Sequence, residues 1–389
     1  MQHDESVRIA ISGSYGGINL GDEAILHGIL GELRRSMPAA AITVFSRDPA
    51  DTLRRHRVHR AVQLGGLPRR EALETVAGVD LFVLGGGGIL FDADAGMFLR
   101  ELCLAHEVGT PSMVYAVSAG PLADPQVRSR VREALDATDV VTVRDQRSLQ
   151  ILDDLGVRRE VTLTADPALL VAREPLTLDE ILRAEAIDPD ARLIGFSVRE
   201  PGPAAPKLDV EHYHRLVANA ADFVVDRLDA EVVFFPLERR NVDVQHSHGV
   251  VGQMQHAQRA TVLKREYTPG QIVSLLEHFE FAIGMRLHFL VFSALAGVPF
   301  VALPYATKVT GFLEALQLQT PCLEYVSAGA LIAHIDRAWD EREALRARLR
   351  TALPALQARA RINNDLLLRL LSRPPRTAGE ARGASSPAP

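Results

Sequence analysis

The stretch Leu81-Phe82-Val83-Leu84-Gly85-Gly86-Gly87-Gly88 decides the architecture of this chain. Four consecutive apolar residues without polar alternation imply a strand buried on both faces, the habit of parallel strands covered by helices. Glycines let the backbone approach a ligand, and the carboxyl edge of a parallel strand is where α/β proteins bind one. The run therefore predicts a short strand, 81–84, followed by a ligand-facing glycine loop. Outward from it, strand-like runs at 8–14, 41–46, 113–117, 140–143 and 161–164 alternate with helical stretches such as 22–36 and 96–108. That alternation is the mark of βα units around a parallel sheet.

The rhythm restarts after a polar, proline-containing stretch, 173–192, with strands expected at 193–198, 232–235, 281–283 and 300–303. The expectation is an α/β protein of two Rossmann-like domains, 1–175 and 190–330. A C-terminal helical segment, 331–372, should follow, interrupted at Pro354 and able to pack across both domains, and then a disordered tail, 373–389. A length of 389 residues suits two domains. Hydrophobic residues at 47% and charged residues at 24% match an ordinary soluble globular protein.

The formal charge of −6 gives no general attraction to nucleic acid or to an anionic membrane, so any cationic function must be local. Lysine occurs only at 207, 264 and 308 among 43 basic residues, so each lysine stands where this chain's default would be arginine. Two cysteines, Cys103 and Cys322, build no disulfide framework, and no Cys/His spacing suggests zinc. With a polar N-terminus that lacks the pattern of a signal peptide, and no apolar run long enough to span a bilayer, the expected location is the cytoplasm.

Several segments are candidates for chemistry. The first strand leaves into Gly13-Ser14-Tyr15-Gly16-Gly17-Ile18-Asn19-Leu20-Gly21-Asp22-Glu23-Ala24, a glycine-rich turn opening a helix. Free N–H groups there attract anions, although the spacing is neither GxGxxG nor a P-loop. The plainer reading is a tight turn capped by Asp22. Asp92-Ala93-Asp94 has the spacing of a metal-binding acidic pair, but is read as an ordinary loop, and no metal site is expected. At Val143-Arg144-Asp145 an arginine at a strand edge can present a bidentate fork to phosphate or carboxylate, or can simply pair with a neighbouring acid. Asp166-Pro167-Ala168 closes the last strand of this half. His246, His248 and His256, and His212 and His214 beside Tyr213, are read as polar residues of solvated helix and loop.

The strongest constellation is Ile283-Gly284-Met285-Arg286-Leu287-His288, followed by Gly297-Val298-Pro299 and, beyond the next strand, Lys308. As strand, loop, helix and strand, it carries Arg286, His288 and Lys308 to one mouth. Such a set suits an anionic substrate that needs proton transfer.

Taken together, Gly21-Asp22-Glu23-Ala24-Ile25, the glycine run after the middle strand, Val143-Arg144-Asp145, Ala165-Asp166-Pro167-Ala168 and above all Gly284-Met285-Arg286-Leu287-His288 with Lys308 resemble the polysaccharide pyruvyl transferase family, in its order, over roughly residues 7 to 320. The resemblance implies a GT-B-type fold whose two domains face a cleft. It implies transfer of a pyruvyl group from phosphoenolpyruvate to sugar hydroxyls of a cell-surface polysaccharide or its precursor, forming a ketal. His288 would be the general acid/base, with Arg144, Arg286 and Lys308 holding the donor's anionic groups. Gly16, Gly17, Asn19, Asp22, Gly86, Gly87 and Asp166 would line the substrate site. The partners expected are phosphoenolpyruvate and a sugar or lipid-linked saccharide, with peripheral contact at the inner face of the membrane in the lipid-linked case, and no nucleic acid. No metal or organic cofactor is required. The nearest rival is a GT-B glycosyltransferase with a nucleotide-sugar donor; a third reading is a non-catalytic module binding anionic glycans.

Overall fold

The structure is a computed structural model that describes residues 6–17, 19–200, 209–238, 242–303, 307–318 and 326–373, with only the backbone of 307 and 308. The chain divides into two compact units, the first formed by 1–17, 25–170 and 358–389, the second by 18–24 and 171–357.

The first unit contains β1 (Arg8–Ser12), β2 (Ala41–Ser46), β3 (Arg60–Gln63), β4 (Leu81–Leu90), β5 (Ser112–Ala119), β6 (Val140–Val143) and β7 (Val161–Leu163). Helices α1 (Leu20–Ser36), α2 (Pro49–Arg55), α3 (Arg69–Ala77), α4 (Ala95–Val108), α5 (Pro125–Ala137) and α6 (Gln146–Asp154) connect them. The strands form one parallel sheet in the order β3-β2-β1-β4-β5-β6-β7. The order reverses between β1 and β4, which are paired from Ile9 against Leu81 to Ser12 against Leu84. Ile9, Ile11, Leu81, Phe82, Val83 and Leu84 are all fully buried, as strands covered on both faces must be.

The second unit holds α7 (Leu178–Glu185), β8 (Arg192–Ser197), α8 (Val210–Leu228), β9 (Ala230–Phe234), α9 (Asp243–Val251), β10 (Ala260–Val262), α10 (Pro269–Leu276), β11 (Phe281–Gly284), α11 (Leu287–Ala296), β12 (Phe300–Ala302), α12 (Thr307–Ala315) and α13 (Ala328–Asp340). Its parallel sheet runs β10-β9-β8-β11-β12, again reversing beside the first strand of the unit. Its core is aromatic, with the Phe235 ring 5.2 Å from those of both Phe279 and Phe289. Both units are therefore doubly wound, Rossmann-like α/β domains.

Four expectations need correction. The glycine run is not a loop, because β4 continues through Gly85–Gly88 to Leu90, paired with β5 and shifted in register between Gly88 and Leu90. Strands β3 and β10 escaped the sequence reading, since each is a short edge strand with a single buried residue and little apolar signature. Helix α14 (Arg342–Leu371) is continuous through Pro354. Proline removes one intrahelical N–H donor, and Pro354 stands on the exposed side of the helix, where solvent can compensate the lost bond. Finally, 331–372 is not a separate segment, because residues to 357 group with the second unit and those from 358 with the first. Likewise 18–24 groups with the second unit: the Leu20 N–H donates to the Leu237 carbonyl at 2.8 Å, and Asn19 forms an antiparallel bridge with Glu238. All but the first residue of the expected tail, 373–389, lies outside the described residues.

Candidate active site

In the first unit the candidate residues gather at the carboxyl edge of the sheet. Arg144 follows β6, and its side chain is only 5% exposed. Its Nε–H donates to Ser118 Oγ at 2.6 Å, and Nη1 donates to Asp166 Oδ2 at 2.5 Å. The ion-pair partner is thus Asp166, which also accepts the Ala168 N–H at 2.9 Å. Asp145, the acid adjacent in sequence, caps α6 by accepting the Ser148 N–H at 2.8 Å and accepts the Ser118 hydroxyl at 2.6 Å. A chain Arg144–Ser118–Asp145 results, with the guanidinium fastened at two of its nitrogens.

The glycines of this unit have packing reasons that the sequence did not show. A Cβ at Gly85 would overlap the Tyr15 hydroxyl and stand 3.2 Å from Ile11 Cγ2; a Cβ at Gly86 would strike Ile25 Cγ2. Gly87 has φ +102°, a conformation side chains resist, next to the register shift. Gly88 alone of the four is exposed and has open space where a side chain would begin. Gly16 and Gly17, at φ +99° and +101°, pack against Ser46 at the end of β2 and Asp51 in the first turn of α2. The Asp92 carboxylate is engaged by the N–H groups of Ala123 and Asp124, at 2.8 and 3.1 Å. Among the described residues no cluster of His, Cys, Asp and Glu is arranged to hold a metal.

In the second unit, Arg286 and His288 follow β11, with Arg286 at the N-cap position of α11 and His288 in its first turn. Arg286 is buried, its side chain 7% exposed, and its charge is already met. Nε donates to Asp243 Oδ2 at 2.8 Å, and Nη2 bonds both Asp243 Oδ1 and Glu238 Oε2, the latter at 2.6 Å. Asp243 is fully buried and also accepts the N–H groups of Leu237 and Glu238, at 3.1 and 3.0 Å. Glu238 is the more accessible partner, with 29% of its side chain open to solvent. One guanidinium against two carboxylates leaves the cluster net negative. Any anion bound at Arg286 would have to displace Glu238 instead of meeting a free cation.

His288 is half-buried and lies against the opening of α1. A Cβ at Gly21 would stand 2.6 Å from the His288 ring Cγ and 2.9 Å from Cε1, closer than ordinary carbon contact. Gly21 is thus the position whose missing side chain lets the ring lie there. Asn19 holds this turn, its Oδ1 accepting the Gly21 N–H at 2.9 Å, and Asp22 lies inside the first turn of α1, which begins at Leu20, instead of capping it. Lys308 enters α12 directly after β12, on the carboxyl side of the sheet; its side chain lies outside the described residues.

Sequence reasoning missed Asp243 and Glu238, which stand 43 and 48 residues from Arg286; Asp243 lies beside the histidines read as solvated helix and loop. It also misread the neighbouring histidines. His214 Nε2 and His246 Nδ1 are 2.7 Å apart, and the buried Tyr213 hydroxyl lies 2.6 Å from His246 Nδ1 while donating to the Arg199 carbonyl at 3.0 Å. Burial, with His246 adding to it, pushes the His214 imidazole down to about 4, and burial lowers His246 as well.

Among solved structures the chain is similar to the UDP-GlcNAc 2-epimerase from Neisseria meningitidis bound to UDP-GlcNAc, with TM-score 0.64 and 12% identity over 93% of this chain and 99% of that one. It is similar to a putative UDP-N-acetylglucosamine 2-epimerase from Listeria monocytogenes, with TM-score 0.63 and 12% identity over 93% and 95% of the two chains. A glycosyltransferase from Rickettsia africae matches with TM-score 0.61 and 10% identity over 95% and 100%. At such identities the likeness establishes the two-domain Rossmann-like fold of GT-B type and nothing about substrate. No curated protein matches the chain in sequence. The family model for polysaccharide pyruvyl transferase matches residues 19–307, a span that takes in Asn19, Arg144, Asp166, Arg286 and His288, and the chain belongs to that family.

Proposed function

We propose that this protein transfers a pyruvyl group from phosphoenolpyruvate to two hydroxyls of a saccharide, forming a pyruvate ketal and releasing phosphate. The observation that carries the reading is the pairing of Arg286 and His288 at the carboxyl end of β11, inside the span that matches the family. In the reaction a proton is added to the donor's methylene carbon, which becomes the methyl group. The adjacent carbon becomes electrophilic and is attacked by one sugar hydroxyl. Phosphate leaves, a second hydroxyl closes the ring, and the two hydroxyl protons balance the one added to carbon and the one carried off by phosphate. His288 is assigned as the acid that delivers the first proton and the base that takes up a later one. Arg286, Arg144 and Lys308 are assigned to the donor's phosphate and carboxylate, with Glu238 giving way at Arg286. The glycine turn at 16–17 with Asn19 and Asp22, and the exposed end of β4, are assigned to the acceptor side. The reaction needs neither metal nor organic cofactor, and a soluble donor of this kind suits the cytoplasm; no described helix is long and apolar enough to cross a membrane.

The test is phosphate release and product mass with phosphoenolpyruvate and a panel of free and lipid-linked saccharides. Acceptor-dependent release, a product heavier by one ketal-linked pyruvyl group, and collapse of both in His288→Ala are the expected results. Turnover of a nucleotide sugar in place of phosphoenolpyruvate would replace this reading with glycosyl transfer. Saccharide binding with no turnover of either donor would replace it with a binding module.

A further inference from the structure

Three adjacent strands of the first unit deliver the Ser118–Arg144–Asp166 cluster, and each is held at one place two residues earlier. The Ala116 N–H donates to Thr142 Oγ1 at 2.7 Å. Thr142 Oγ1 lies 2.6 Å from Asn363 Oδ1, and Thr164 Oγ1 lies 3.1 Å from the same oxygen. Asn363 Nδ2 reaches the Ala165 and Ala360 carbonyls, at 3.4 and 2.9 Å. Thr142, Thr164 and Asn363 are fully buried.

Residues two apart on a strand share a face, about 7 Å from one another. Thr142 precedes Arg144 by two residues across the end of β6, Thr164 precedes Asp166 by two just beyond β7, and Ala116 precedes Ser118 by two within β5, at the irregularity of that strand. Ala116 also has φ +51°, a strained value for a residue with a side chain, where the β5–β6 register shifts. A bulge of this kind re-aims the strand beyond it.

We infer that Asn363, reaching in from α14 more than 190 residues away in sequence, is a positioning residue that sets Arg144 against Asp166 and Ser118 through Thr142 and Thr164. The Asn363 carboxamide oxygen lies within reach of both threonine hydroxyls, which also face the Val114 and Val143 carbonyls at 3.2 and 3.0 Å, and so links the β6 and β7 ends. Arg359, one turn earlier on α14, donates to the Thr164 carbonyl at 2.7 Å and anchors the same corner. This inference rests on the reading of Arg144 as a donor-binding cation.

The test uses Thr142→Val, nearly isosteric and lacking the hydroxyl, beside Thr142→Ser, which keeps it, in the full chain. The expected result for Thr142→Val is a rise of about tenfold in the half-saturating phosphoenolpyruvate concentration, with turnover at saturation and acceptor half-saturation changed less than about twofold. Thr142→Ser should stay within about twofold of the parent in all three. In an Arg144→Ala background Thr142→Val should add nothing further. A lowered melting temperature with unchanged donor half-saturation would overturn the inference and leave Thr142 and Asn363 with a packing role alone. If Arg144→Ala itself leaves donor half-saturation unchanged, the assignment of Arg144 to the donor falls instead. The inference is then decided by a crystal structure of Thr142→Val, where an undisturbed Arg144–Asp166 pair overturns it and a displaced pair upholds it.

Discussion

Substituting Gly21 by alanine tests the proton-transfer assignment without touching His288. The added carbon would overlap the His288 ring at Nδ1 and stand 2.6 Å from Cγ and 2.9 Å from Cε1, whereas carbon atoms settle at about 3.5–4.0 Å. The imidazole must therefore recede by about 1 Å, or rotate away, since the Gly21 backbone is held by Asn19 and its neighbour Leu20 is bonded to Leu237. Crowding of this order costs about 1–3 kcal/mol when a packed ring yields. Its effect on chemistry is larger, because a 1 Å misplacement of a reacting group lowers turnover on the order of 100-fold. Gly21→Ala should then lose about two decades of acceptor-dependent phosphate release, while donor half-saturation moves less than about threefold. Thermal unfolding monitored in parallel would show a fall of only a few degrees, since the strain is confined to one ring. Turnover within a factor of about three of the parent, in a protein shown by crystallography to have the methyl seated against His288, would refute the proton role of that histidine.

The glycines of β4 should separate by position. Gly86→Ala, forced against Ile25, should destabilise by about 1–3 kcal/mol, whereas Gly88→Ala should leave the denaturation midpoint unchanged and affect only ligand binding; equal loss of stability in both would contradict the packing described. Acid should weaken the second unit through its histidine pair. His214, held near 4 against an ordinary 6.5, takes up a proton in the unfolded chain before it does in the folded one. The stability contributed by the neutral pair is therefore full above about pH 6.5 and is lost as the pH falls towards 4. Charges facing the pair act in both directions, Glu200 and Asp243 favouring protonation of His246 and Arg199 and Arg286 opposing it. Urea midpoints measured at pH 7 and pH 5 should fall less in His214→Gln/His246→Gln than in the parent, and an identical fall would exclude the pair as its source.

The segment assigned to the proton transfer was legible because it is local. Gly284 to His288 is a strand end, a cap and a first helical turn, and such a unit places Arg286 and His288 at a sheet edge whatever surrounds it. Arg144 was legible for the same reason. The partners of these arginines were not, since Asp166 and Asp243 are ordinary acids in the chain and become ion-pair partners only when separate βα units are laid side by side. The polyglycine run misled in an instructive way. Its backbone freedom invited a ligand, but two of its glycines are small because Tyr15 and Ile25 occupy the space a side chain would need.

Periodicity and the order of the βα units by themselves determined that this is a chain of two doubly wound, Rossmann-like sheets. Burial of apolar strands on both faces is a requirement that each strand states in its own residues. Tertiary structure alone decided which charges meet and which glycines serve packing. It also decided that a carboxamide near the C-terminus sits beneath the Arg144 cluster, and that the start of α1 lies against His288. Those are contacts between residues far apart in sequence, set by the close packing of side chains in three dimensions, and no local pattern encodes them.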